Sequence, residues 1–275
     1  MRTATDVPAA PSRAALLLYR ICRMISVGAS RVLFPGRVIG RENLPAEGPF
    51  ILAPVHRSYL DWLIVARVTR RRMRYIAKAE LWKSKPVGQL LEALGAFPVN
   101  RSGADREALE RCRTVLAGGE PLVMFPEGTR RSGQEVTDLR EGVAYLAMRA
   151  GVPVVPVGIG GSERAMPRGS VIPRPHRVTV VVGRPVYQPV AGGRPPAKQG
   201  SGSGGRGRAG MDDAGQEDAP GAPEGRSGRD PGGRSALAPA GRPARVSRRA
   251  LHEFSEEVRA AIQRVFDQAE ADLRH

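Results

Sequence analysis

Two short motifs in this sequence carry side chains suited to acid–base and anion-binding chemistry. Residues 56–61 place an imidazole, His56, and a carboxylate, Asp61, on one stretch of chain. Residues 125–130 read Phe-Pro-Glu-Gly-Thr-Arg, which places a carboxylate and a guanidinium in a turn that contains glycine. Imidazole is the side chain best suited to proton transfer near neutral pH, and the guanidinium fork matches phosphate. The two motifs together indicate a catalytic base beside an anion-binding site.

The first motif follows residues 50–55, an apolar run of strand length. His56 is therefore expected where a strand ends and a loop begins. We expect Ser58 to cap a helix that begins near Tyr59, which places Asp61 in its first turn. Asp61 can then accept from one ring nitrogen of His56 and leave the other as a base. In the structural alternative, these two residues only stabilise the start of the helix.

The second motif also follows an apolar run, residues 122–125, which a proline ends. Gly128 permits a tight bend, so Glu127 and Arg130 are expected to project from a turn. Arg130 and Arg131 offer planar forks suited to phosphate, and we expect an ion pair with Glu127 to hold one fork rigid. The alternative is an ordinary turn with a surface ion pair.

The remaining periodicity predicts an α/β domain, because apolar runs alternate with helical patterns. The expected strands cover residues 50–55, 74–77, 97–99, 122–125, 152–157 and 178–183. The expected helices cover residues 61–68, 86–94, 104–117 and 142–150. Both motifs then lie where strands end, which is where such sheets bind ligands.

The two ends of the chain differ from this domain. Residues 14–34 lack the uninterrupted apolar run of a membrane-spanning helix, and they predict an amphipathic helix that lies on an anionic membrane or covers the domain's own core. One side of this helix carries Arg13, Arg20, Arg23 and Arg31, and the other carries Leu18, Ile21, Ile25 and Val32.

Composition changes sharply near Val190, where Gly, Pro, Ala, Ser, Arg and Asp replace large apolar residues. A segment of that composition cannot bury enough surface to offset the cost of ordering. We therefore predict four parts: an N-terminal membrane-associating segment, a folded domain, a disordered linker and a C-terminal amphipathic helix. Their bounds are residues 1–37, 38–190, 191–247 and 248–275.

The net charge of +16, from 43 Lys and Arg against 27 Asp and Glu, indicates a polyanionic partner. Aromatic residues make up only 5% and do not interleave with basic ones, so anionic lipid is favoured over nucleic acid. Cys22 and Cys112 lie far apart, which argues against a disulfide framework and fits a reducing cytoplasmic location. The histidines lack metal-ligand spacing, so no metal site is expected.

Four blocks in chain order resemble the 1-acyl-sn-glycerol-3-phosphate acyltransferases and their glycerolipid acyltransferase relatives. The blocks are residues 56–61, 95–101, 125–130 and 152–157. The likeness covers roughly residues 38–187 and implies a single domain with a mixed sheet flanked by helices. Two departures are Asn100 before Arg101, where the family often has Asp, and residues 139–142, where it usually has Phe-Lys-x-Gly.

The resemblance implies a role for each matching residue. His56 is the general base and Asp61 orients it, while acceptor binding falls on Arg101, Glu127, Gly128, Thr129 and Arg130. The implied reaction moves a fatty acyl group from acyl-CoA or acyl carrier protein to lysophosphatidate, giving phosphatidic acid in phospholipid biosynthesis. It needs no bound cofactor or metal. The implied location is peripheral, on the cytoplasmic face of the cell membrane.

Two alternatives to this interpretation stay open at the level of sequence. A related acyltransferase would use glycerol-3-phosphate or another lysolipid as its acceptor. A non-enzymatic polyanion-binding protein would account for the charge, but it leaves His56 and Asp61 without a role.

Overall fold

The computed structural model describes residues 13–99, 105–137, 139–189 and 246–274. These residues form a mixed α/β fold with a seven-stranded sheet, in the order β1-β7-β6-β2-β5-β3-β4. The strands are β1 (Val38–Ile39), β2 (Ile51–Pro54), β3 (Arg74–Lys78), β4 (Ala96–Val99), β5 (Leu122–Val123), β6 (Val154–Gly160) and β7 (Thr179–Val182). The predicted α/β class and all six predicted strands are confirmed.

The centre of the sheet is β2, which is buried along its whole length and pairs in parallel with β6 on one side and β5 on the other. Ile51 lies opposite Val154 of β6 and Leu122 of β5. Strands that are covered on both faces have continuous runs of Val, Ile and Leu. These runs are why the sequence predicts the strands. Among the strands of the described residues, β6 and β7 form the one antiparallel pair, while β1 pairs in parallel with β7, and this makes the sheet mixed.

Helices cover the sheet. They are α1 (Arg13–Leu33), α2 (Asp61–Val65), α3 (Lys85–Ala93), α4 (Asp105–Ala117), α5 (Gly142–Ala150), α6 (Ser162–Ala165) and α7 (Arg248–Ala271). The predicted cap of α2 is wrong, because its N-cap is Leu60, two residues after Ser58. The Ser58 hydroxyl instead accepts from the Leu60 amide at 3.3 Å and donates to the Met166 carbonyl at 3.1 Å.

The apolar stripe of α1 does not cover the core. Leu18, Ile21, Ile25 and Val32 are exposed, whereas Tyr19 and Val27 on another side of α1 are buried. Arg23 lies toward the domain and donates to the carbonyls of Ala66 and Thr69. Within the described residues, no helix combines the length and apolar character needed to cross a membrane.

The C-terminal helix α7 packs against β6 and β7, and its largest buried apolar residues are Phe254, Val258, Ile262, Val265 and Phe266. Most of the segment predicted as a disordered linker, residues 191–245, lies outside the described residues. The division of the chain at residues 37, 190 and 247 therefore stays a prediction.

Close approach of α7 to β6 depends on glycine in the strand. A Cβ on Gly158 would lie 2.1 Å from the Val265 carbonyl oxygen. Gly158→Ala should therefore push α7 away and lower the free energy of unfolding by about 1–3 kcal/mol. Gly28→Ala is the control, because a Cβ there has no atom within 4 Å. Urea unfolding that left both variants as stable as the parent would contradict this packing.

Candidate active site

The sheet brings the two motifs together. Because β2 and β5 are parallel neighbours, the loops that follow them leave the same edge of the sheet. His56 lies beyond the end of β2, and its carbonyl accepts from the Arg131 amide at 2.8 Å. Motifs that are separated by some seventy residues of chain thus share one loop cluster.

The imidazole of His56 is held in a fixed orientation. Its Nδ1 lies 3.0 Å from Oδ2 of Asp61, whose side chain is fully buried. The same oxygen accepts from the backbone amides of Arg57 and Ser58, each at 2.7 Å. The imidazole ring also stacks on Phe125, with ring centroids 4.2 Å apart. This arrangement fixes the ring and leaves Nε2 as the nitrogen available for proton transfer.

The expected ion pair between Glu127 and an arginine of its own motif is wrong. Glu127 is buried, and its Oε1 pairs with Nη1 of Arg57 at 2.5 Å. Its other oxygen, Oε2, accepts from the His56 amide at 2.7 Å. Burial raises the pKa of the Glu127 carboxyl, and the hydrogen bonds from Arg57 and His56 oppose that rise. Glu127 therefore joins the two motifs, and both its oxygens are occupied within the protein.

Arg57 is the site residue that sequence reasoning missed. Its guanidinium is buried and also donates from Nε to the Gly133 carbonyl at 3.0 Å and from Nη2 to the Glu135 carbonyl at 2.9 Å. The ring of Phe266, on α7, lies 5.0 Å from its central carbon. The available signal was an arginine three residues after one buried strand and a glutamate shortly after a second apolar run, two opposite charges at neighbouring strand ends.

Residues 131–136, which follow the second motif, form a strap over Arg57. Gln263 of α7 makes two hydrogen bonds to this strap. Its side chain accepts from the Val136 amide at 2.7 Å and donates to the Gln134 carbonyl at 3.0 Å. The C-terminal helix therefore contacts the loop that carries the motif, although it is far away in sequence.

Arg130 is a partly buried residue of the second motif. Its guanidinium carbon stands 3.3 Å from the centroid of the Tyr59 ring, and its buried Nη1 has no hydrogen-bond partner among the described residues. A buried guanidinium nitrogen without an acceptor is costly, so an anionic ligand would stabilise it. Arg130 thus has the geometry expected of an anion-binding residue.

The turn beside Arg130 is shaped by Gly128, which has a φ of 65°. A Cβ at this position would lie 2.6 Å from Nε of Arg140, so the glycine makes room for a second cation. Thr129 is exposed on the same turn. Arg101, the other predicted acceptor-binding residue, lies outside the described residues, and its role stays a prediction.

Two cavities meet at His56. The larger, about 840 Å³, is lined by His56, Gly128, Thr129 and Arg140 together with apolar side chains of α4 and α5. The smaller, about 250 Å³, is mainly apolar and aromatic. Its lining includes Tyr19, Tyr59, Trp62, Tyr75, Leu91 and Leu94. His56 and Phe125 belong to both cavities, so the imidazole can reach ligands in either one.

Other chemistry at this site is limited by the groups present. Cys112 lines the larger cavity, but burial raises the pKa of its thiol to about 12, so it is protonated at neutral pH and a poor nucleophile. Among the described residues, no three His, Cys, Asp or Glu side chains form a group that could hold a metal ion.

Comparison with known proteins places this geometry in a family context. Residues 36–160 match the family model described as Acyltransferase. The chain is 34% identical over 151 residues to a 1-acyl-sn-glycerol-3-phosphate acyltransferase from Chlamydomonas reinhardtii, covering 53% of this chain and 45% of that protein. It is 29% identical over 153 residues to one from Bacillus subtilis, covering 55% and 74% of the two chains.

A crystal structure of the 1-acyl-sn-glycerophosphate acyltransferase PlsC from Thermotoga maritima has a similar fold. The TM-score is 0.55 at 27% identity, over 66% of this chain and 73% of that chain. The resemblance that the motifs predicted is thus confirmed: the matched region is of the acyltransferase class, and the relatives are 1-acyl-sn-glycerol-3-phosphate acyltransferases. The chain spans less than half the length of the algal relative.

The buried pair offers a test of how the loop cluster is held. Arg57→Met should lower the free energy of unfolding by about 3–5 kcal/mol, because it leaves the Glu127 carboxylate buried without a counter-charge. The control is Arg113→Met, which removes an exposed pair with Glu110 and should cost less than about 1 kcal/mol. Equal losses in urea unfolding for the two variants would show that the buried pair does not hold the motifs together.

Proposed function

We propose that this protein transfers a fatty acyl group from acyl-CoA or acyl carrier protein to the free hydroxyl of 1-acyl-sn-glycerol-3-phosphate, giving phosphatidic acid and a free thiol. One observation carries the proposal: an imidazole oriented by a buried carboxylate lies at the junction of two cavities. Each cavity can hold one of two substrates, and the base between them reaches both. The names of the relatives support this choice of reaction.

In the proposed reaction, Nε2 of His56 takes the proton of the acceptor hydroxyl as its oxygen attacks the thioester carbonyl carbon. The tetrahedral intermediate then collapses, the carbon–sulfur bond breaks, and the imidazolium returns the proton to the thiolate. Asp61 stabilises the imidazolium between these steps. General-base assistance supplies about 10²–10⁴-fold in rate, and much of the remainder comes from holding the two substrates in register.

The two cavities suggest where each substrate binds. The larger cavity has Arg140 in its wall and Arg130 beside its turn, which suits the phosphate of the acceptor. Thr129 and Arg101 are proposed to assist there. The smaller, apolar cavity suits an acyl chain. Glu127 contributes indirectly, because it positions the His56 backbone.

The substrates also suggest where the enzyme works. Both the proposed lipid acceptor and its product reside in membranes, so we propose peripheral association with the cytoplasmic face of the cell membrane. The surplus of basic residues over acidic ones favours an anionic surface.

Removing the base should abolish transfer. We expect His56→Ala to lose at least about 10²-fold in kcat and Asp61→Asn to be nearly as severe, since the neutral amide cannot stabilise the imidazolium. Thiol release from acyl-CoA with a panel of phosphorylated acceptors measures both variants and ranks the acceptors. His252→Ala, on the exposed side of α7, is the control. Parent-like turnover by folded His56→Ala protein would refute the mechanism.

Removing the proposed phosphate contact should weaken binding of the acceptor and leave binding of the donor unchanged. Arg130→Ala should raise the acceptor KM roughly ten- to a hundredfold, because a charge-assisted contact is worth about 1.5–3 kcal/mol. Arg130→Lys keeps the charge but loses the fork, and it should fall between the parent and the alanine variant. An unchanged acceptor KM with a raised donor KM would assign Arg130 to the thioester instead.

A further inference from the structure

An apolar pair stands exposed on the loop between α6 and β7. Val171 is 85% exposed and Ile172 is 71% exposed, which places both among the most exposed large apolar side chains of the described residues. Neither packs against the hydrophobic core of the domain. Since exposing adjacent apolar side chains has a cost and brings no benefit to the fold, the pair indicates a surface that is covered by something else.

Both arms of this loop are fixed. On one arm, the Met166 carbonyl accepts from the Ser58 hydroxyl of the candidate active site at 3.1 Å. On the other, the His176 amide donates to the Leu33 carbonyl at the end of α1 at 3.3 Å. The exposed pair is therefore carried on a segment that joins the candidate active-site loops to the end of α1, where Val32 is 80% exposed.

The surroundings of the pair are basic. Residues 164–177 contain no Asp or Glu, and their arginines are Arg164, Arg168, Arg174 and Arg177. A cavity of about 490 Å³ between this loop, α1 and the end of α7 is lined by Arg164, His176 and Arg177 beside apolar Val32 and Leu273. Arg164 is partly neutralised by Glu270 at 3.1 Å. Helix α1 likewise has arginines and no acidic residue.

We propose that the Val171–Ile172 loop is a membrane contact, which inserts into an anionic bilayer together with the exposed apolar side of α1. Exposed apolar side chains on a loop whose charged side chains are arginines match the acyl boundary and the anionic headgroups of such a surface. Two separate surface elements, this loop and α1, carry exposed apolar side chains together with arginines, and an anionic bilayer can contact both at once. The inference rests on the membrane association proposed above and names the surface that makes the contact; vesicle binding tests that surface without turnover, so it can fail independently of the proposed reaction.

The test uses the full chain with Val171→Ser and Ile172→Ser combined. Its partition onto vesicles of phosphatidylcholine and phosphatidylglycerol should fall about tenfold in co-sedimentation, since two apolar side chains no longer enter the interface. Thiol release with detergent-dispersed substrates should stay at the parent rate. Tyr187→Ser, at a side chain that is 50% exposed outside this surface, is the matched control and should sediment like the parent.

A charge variant separates the two contributions. Arg168→Gln, Arg174→Gln and Arg177→Gln combined should weaken binding to the mixed vesicles and make it less sensitive to salt, while binding to pure phosphatidylcholine changes little. Unchanged sedimentation of the Val171/Ile172 variant on mixed vesicles would overturn the proposal. The proposal would also be overturned if the Val171/Ile172 variant sedimented normally but no longer bound an acidic acyl carrier protein, because the surface would then be a protein-docking site.

Discussion

The buried ion pair between Arg57 and Glu127 is the contact on which the candidate active site depends. It joins the loop after β2 to the turn after β5, and Glu127 holds the His56 amide with its second oxygen. Desolvating two charges is expensive, and the geometry recovers that cost only if the remaining donors are satisfied. Arg57 meets this condition by donating to two loop carbonyls, Gly133 and Glu135.

The loop cluster contains two arginines with different roles. Arg57 is fully committed to the protein, so it cannot bind a substrate. Arg130 stacks on Tyr59 and keeps one buried nitrogen without a partner among the described residues. Arg57 spans the two motifs and fixes the distance between them. Arg130 then lies at a defined position beside the cavity that His56 lines. The buried pair thus holds the turn that carries Arg130 against the loop that carries His56.

The sequence predicted the features that follow from local residue patterns. Apolar runs located the strands, and the parallel strands brought both motifs to one edge of the sheet; the spacing of His56 and Asp61 anticipated their contact. Partner choice was not predictable, because Glu127 had several arginines nearby in sequence and took one 70 residues away. The short strand β1 was also missed, since two residues carry no periodicity.

Helix α7 contributes to the candidate site although the family match ends at residue 160. Residues 36–160 hold both motifs, but the strap over Arg57 is fastened by Gln263, and the guanidinium lies against Phe266. Gly158 allows this helix to approach β6 closely enough to make those contacts. A chain cut after β7 would keep every motif residue and lose one wall around the buried arginine. The candidate active site is therefore built by the domain together with its C-terminal helix.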